Sequence, residues 1–152
     1  MKKSILFFII TLLFITVAAQ SKDELAVRAV LETQRQAWNA GNIDQFMDGY
    51  WQSDSLMFIG AKRVTYGWTN SLNNYKKSYP DTAAMGKLDF DIQEAKRLSE
   101  MYFFVVGKWR LTLSKGNDSG YFSLLFKKIK NKWVIVVDHT PMIIISICVS
   151  GE

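Results

Sequence analysis

The sequence predicts an α+β fold, in which a strongly curved antiparallel sheet is rolled into a cone and packed against three N-terminal helices. Between residues 24 and 50 and again from 67 to 79 the apolar side chains recur at helical spacing, whereas from residue 88 to 139 they follow strand patterns. The joints between those strands are short and rich in turn-forming residues, so strands adjacent in sequence pair as antiparallel hairpins. A curled sheet that its helices do not fill leaves a cavity at the open end, which large aromatic side chains can line.

Val27, Val30, Leu31, Gln34 and Trp38 mark one face of a first helix, with Glu24, Arg28, Glu32 and Arg35 on the others. Gly41 suits its C-terminus. Asn42 followed by Gln45 is a capping-box pattern that opens a shorter second helix, buried through Ile43, Phe46, Met47 and Tyr50. Leu56-Met57-Phe58-Ile59 and Val64-Thr65-Tyr66 read as a strand and a short partner around Gly60-Ala61-Lys62-Arg63. Trp68, Leu72, Tyr75 and Tyr79 fall on one face of a third helix, from about Gly67 to Ser78, and Pro80 stops it.

Four strands are expected after that: Leu88 to Lys96, Met101 to Leu113, Tyr121 to Ile129 and Trp133 to His139. In the first, Leu88, Phe90 and Ile92 alternate with Asp89, Asp91 and Gln93, the mark of a half-buried strand. Leu98-Ser99-Glu100, Gly116-Asn117-Asp118-Ser119-Gly120 and Lys130-Asn131-Lys132 supply the turns.

The 152 residues divide into a signal peptide over 1–19, a single domain over 22–140 and an apolar tail over 141–152. Lys2 and Lys3 precede an apolar run from Ile5 to Val17, and Val17-Ala18-Ala19 offers small residues for cleavage, which points to the periplasm or the exterior of the cell. That run is shorter than the ~20 residues a spanning helix needs, so membrane contact is expected only through an uncleaved signal. The remaining chain of about 130 residues has room for one core.

The net charge of +5 drops to about +3 without Lys2 and Lys3. Lys127, Lys128, Lys130 and Lys132 cluster at a hairpin turn, where charge keeps a sheet edge soluble, and no base-reading motif accompanies them. Nucleic acid is therefore not an expected partner. Cys148 is the sole cysteine, so no disulfide forms within the chain. It sits in the apolar run Met142 to Val149, which suits an added edge strand or an interface between two copies.

Trp38-Asn39-Ala40-Gly41-Asn42-Ile43-Asp44, Phe58-Ile59-Gly60, Gly107-Lys108-Trp109, Lys132-Trp133 and Asp138-His139-Thr140 occur in that order. In order and spacing they resemble the nuclear transport factor 2-like (NTF2-like) superfamily, within it the SnoaL-like and DUF4440 group, over about Leu25 to Thr140. The resemblance implies a cone, or cystatin-like roll, that hosts isomerases, cyclases, dehydratases and purely binding domains. It also implies a homodimer.

The ketosteroid isomerases of that superfamily use a carboxylate on the first strand as a base, with a Tyr and a protonated Asp stabilising the enolate. Aligned on Tyr50, the base position falls on Phe58 and the second acid on Ser123 or Phe122, and none of these carries a carboxyl group. The remaining catalytic candidates are His139, Asp138 and Tyr50. His139 and Asp138 are adjacent on a strand and therefore point to opposite faces unless the strand bends. Asp89 and Asp91 share a strand face but lack a third ligand, and His139 is the only histidine, so no metal site is expected. No nucleophile elbow or phosphate-cradling glycine pattern is present.

Trp38, Tyr50, Phe58, Arg63, Trp68, Tyr75, Trp109 and Ser123 are the candidate ligand-binding residues: aromatics around a cavity, a cation at its rim and a hydroxyl. The expected function is an exported domain that binds a small apolar or aromatic molecule without a cofactor. The alternatives are an isomerase-, cyclase- or dehydratase-type enzyme using His139, Asp138 or a pocket Tyr, and an oligomerisation module without a ligand.

Overall fold

Ser21 opens the fold as a helix cap. Its hydroxyl accepts from the Glu24 amide at 3.1 Å, starting α1 (Lys22–Asn39), which buries Val27, Leu31, Gln34, Ala37 and Trp38. The computed structural model describes residues 21–141, so the expected signal over 1–19, the tail beyond Pro141 and Cys148 lie outside the described residues. Gly41 ends α1 at φ +77°, a left-handed conformation that glycine adopts without a Cβ clash. Asn42 Oδ1 then accepts from the Gln45 amide at 3.0 Å and starts α2 (Ile43–Met47).

β1 (Met57–Ile59) and β2 (Val64–Tyr66) form a small antiparallel pair and lead into α3 (Trp68–Ser78). A fourth helix, α4 (Thr82–Met85), joins the three expected ones; Asp81 caps it by accepting from the Ala84 amide at 2.8 Å. Four residues are too few to show a helical period, so only the cap hints at it in the sequence. β3 (Lys87–Arg97), β4 (Tyr102–Leu113), β5 (Gly116–Ile129) and β6 (Lys132–His139) complete the chain.

The six strands form one curved sheet in the order β2-β1-β6-β5-β4-β3. The three long hairpins are antiparallel as expected, but β1 lies parallel to β6, so the sheet is mixed. That pairing sets Phe58 beside Asp138 and Ile59 beside His139. A helix-containing crossover rather than a tight turn separates β1 from β6, and such a crossover allows parallel partners.

One turn differs from expectation. Gly116 to Gly120 are strand, paired with Leu113 to Trp109, and the reversal occurs at Ser114 and Lys115. Turn-type composition was misleading because Gly120 serves packing: a Cβ there would sit 2.9 Å from Trp109 Nε1 and Cζ2. The Lys130-Asn131 turn does form, with φ of 48° and 62°, the two positive values that a two-residue type I′ hairpin requires.

Two bulges reset the alternation of faces. One lies between Ile92 and Glu94, after which Ala95 rather than Glu94 packs on the core. The other lies at Val136, so Trp133 and Ile135 are buried before it and Asp138 after it. We expect Gly120→Ala to destabilise the fold by about 1–3 kcal/mol through overpacking against Trp109, read as a lowered denaturant midpoint at unchanged m. A wild-type midpoint would show that β5 yields without cost at this position.

Candidate functional site

Tyr75 stands at the centre of an aromatic cluster between α3 and the sheet. Its ring centroid lies 5.3 Å from Phe46, 5.8 Å from Phe58, 6.1 Å from Trp38 and 6.2 Å from Tyr79. On either side of it the rings leave space. An outer chamber of about 170 Å³ is bordered by Phe58, Lys62, Arg63, Asn74 and Thr65. An inner chamber of about 60 Å³, within the cone, is bordered by Gln34, Trp38, Tyr50, Trp109, Phe122 and Asp138. Tyr75, Tyr79 and Thr140 border both.

Asp138 is 3 % exposed. The Tyr50 hydroxyl donates to its Oδ2 at 2.7 Å and the Thr140 hydroxyl to its Oδ1 at 2.5 Å. Burial raises the carboxyl to about pH 6, against the pull of Thr140, Tyr50 and the neighbouring His139 toward the charged form. Tyr50 is held well above the ordinary tyrosine range, first by burial and then by the Asp138 charge. Tyr75 is also raised, first by burial and then by the Asp138 charge.

The bulge at Val136 decides which end residue of β6 enters the cone. An unbroken alternation from Trp133 and Ile135 would turn His139 inward; the extra residue turns Asp138 inward and leaves His139 exposed. His139 and its cross-strand partner Ser123 therefore lie on the opposite face from the chambers, while Leu124 and Asp138 face in. The two adjacent candidates do not form a dyad.

The other candidates separate in the same way. Trp38, Tyr50, Phe58, Arg63, Tyr75 and Trp109 all border a chamber. Trp68 borders neither: its indole N–H donates to the Met47 carbonyl at 3.0 Å and ties α3 to the end of α2. Trp38 is also bonded, to the Met85 carbonyl at 2.9 Å. Trp109, 4 % exposed, is different, because its buried Nε1 has no hydrogen-bond partner among the described residues. The sequence reading missed Lys62, Asn74, Tyr79 and Thr140 as lining residues. Tyr79 had a signal in the third helix's apolar stripe, whereas the others depend on which loop meets which strand.

A wider depression of about 590 Å³ lies between the start of α2 and α4, but Lys76 and Asp44 on its rim already pair at 2.7 Å. Asp89 likewise pairs with Arg110 at 2.9 Å. Among the described residues no three His, Cys, Asp or Glu side chains gather as metal ligands.

A solved protein from Shewanella oneidensis MR-1, described as an NTF-2 like protein of unknown function, is 42 % identical to this chain, with a TM-score of 0.75 over 79 % of this chain and 98 % of its own. The chain belongs to the NTF2-like family. A cystatin-like domain from Nostoc punctiforme (16 % identical, TM-score 0.68, 80 % of this chain and 78 % of its own) shares the NTF2-like fold. So does a ketosteroid isomerase-like protein from Erwinia carotovora atroseptica (14 % identical, TM-score 0.61, 79 % and 95 %). No family model and no curated protein matches the chain.

Within this NTF2-like cone, Phe58 takes the strand position where the resemblance places a base, and the register puts the Asp138 carboxylate directly beside it on the next strand. Because the folded carboxyl titrates near pH 6, above its ordinary 3.8, the folded chain holds a proton that the unfolded chain has released. That contribution to stability is full below about pH 4 and lost as pH rises through about 6. Urea titrations of wild type and Asp138→Asn are expected to show their stability difference moving against wild type by about 2 kcal/mol from pH 4 to 7. A difference that stays constant would mean Asp138 titrates as an ordinary carboxylate.

Proposed function

We propose that this NTF2-like chain is an exported binding protein for a compact, single-ring aromatic or comparably small apolar molecule, which it holds in the two-chambered cone. The observation that carries this reading is the outer chamber of about 170 Å³ walled by Phe58, Tyr75 and Tyr79, with the smaller inner chamber bordered by the same two tyrosines. An apolar cavity of about 150 Å³ is large enough to take up benzene, so this one suits one ring and is too small for a fused polycycle. In this reading residues 1–19 direct the chain to the periplasm or beyond, and it acts as a homodimer.

A second reading, a proton-transferring enzyme, is favoured by one feature. Asp138 borders the inner chamber with a carboxyl near pH 6, where both protonation states are populated close to neutrality, and Tyr50 and Tyr75 stand ready as donors. Asp138→Asn separates the two: a binding protein keeps its ligand, an enzyme keeps its ligand and loses turnover.

Phenol and toluene at a hundredfold excess over their dissociation constants are expected to stabilise the fold by about 2.7 kcal/mol, read as a raised melting temperature. Thr65→Phe, which places a ring in the outer chamber, is expected to abolish that shift while leaving the circular dichroism spectrum unchanged. Shifts that survive Thr65→Phe, or that no single-ring probe produces, would remove the reading.

A further inference from the structure

Every chamber-lining charge outside the cone is positive. Lys62 and Arg63 border the outer chamber from the β1–β2 connection, and neither makes an ion pair among the described residues, although six cations elsewhere do. Arg63 is nevertheless held in place. Its Nη2 donates to Asn74 Oδ1 at 3.1 Å, and Asn74 Nδ2 donates to Thr65 Oγ1 at 3.4 Å, so both anchors belong to the chamber wall. One of the guanidinium's five N–H groups is spent on this tether, which leaves a fork suited to a carboxylate.

The inner end has the opposite character. Its single charged lining group is the Asp138 carboxylate, which repels a second anion. The inner volume of about 60 Å³ is too small for a ring but admits a polar substituent or about two waters at roughly 30 Å³ each.

We infer that the site selects a small aromatic carboxylate, its anion at the mouth with Lys62 and Arg63 and its ring against Phe58, Tyr75 and Tyr79. This rests on the ring-binding reading above and adds to it a charge, a polarity and a direction of entry.

The test is calorimetric titration of the purified protein at low ionic strength with 4-hydroxybenzoate, benzoate and phenol. 4-Hydroxybenzoate is expected to bind about tenfold more tightly than phenol, a preference that added salt shrinks. Replacing both rim cations (Lys62→Gln with Arg63→Gln) brings the two ligands to within about threefold of each other and leaves phenol unaffected; both residues are exposed, so the fold is not at stake. Phenol binding as tightly as 4-hydroxybenzoate to wild type overturns the inference and leaves the ring-binding reading standing. Failure of all three to bind overturns both.

Discussion

The parallel contact between β1 and β6 is the constraint on which the cone depends. β6 is the last strand of the chain, and it is paired on one side to β5 by a tight hairpin and on the other to a strand some eighty residues earlier. Without that second pairing β1, β2 and α3 would have no fixed place relative to the long hairpins, and Tyr75 would not face Asp138. Such non-local pairing is costly in chain entropy, and the compensation is visible around it. Tyr50 makes an isolated bridge to Ile135, the Trp51 amide donates to the Ile135 carbonyl at 2.9 Å, and Ile135 N donates to the Gly49 carbonyl at 2.9 Å. The chain leaving α2 is thus bonded to β6 just before β1 is laid beside it.

That seam also concentrates the polar groups of the interior. A carboxylate taken out of water is strongly disfavoured unless donors surround it, and Asp138 receives two, from Tyr50 and Thr140. They do not fully offset the burial, which is why its carboxyl remains above the ordinary range. A wholly apolar residue at position 138 would pack there at no such cost. The charge borders the inner chamber, and an electrostatically unfavourable group beside a cavity is the pattern by which a candidate site differs from a core.

Much of the fold was legible because its elements carry strong local signals. The α1 stripe from Val27 to Trp38, the Asn42 cap, the alternation of Leu88, Phe90 and Ile92 and the Lys130-Asn131 turn are each decided by neighbours in sequence. Local signals fail where one residue answers to a distant one. Gly120 looked like a turn and is a strand glycine because Trp109, on the adjoining strand, needs its missing Cβ. His139 and Asp138 were equal candidates until the Val136 bulge assigned their faces, and a single inserted residue leaves no trace in a pattern of alternating apolar side chains. Trp68 and Ser123 are of the right chemical type for a pocket, but type does not say which side of a helix or sheet a residue occupies. The parallel register could not be read at all, since nothing in Met57-Phe58-Ile59 names its partner.

The same register explains how an NTF2-like cone can keep an acid in its interior while placing phenylalanine at the strand position the isomerase resemblance assigns to the base. Paired residues on adjacent parallel strands project to the same face, so moving a carboxylate from position 58 to 138 shifts it by one strand spacing, about 4.8 Å, and preserves its exposure to the cavity. The exchange changes what the carboxylate touches. At 58 it would face the outer chamber and its cations, Lys62 and Arg63, and would neutralise them; at 138 it lies behind Tyr75, within the cone. The rim keeps its positive charge because the acid is inside, and the aromatic ring that replaces the acid at 58 becomes part of the outer chamber's wall.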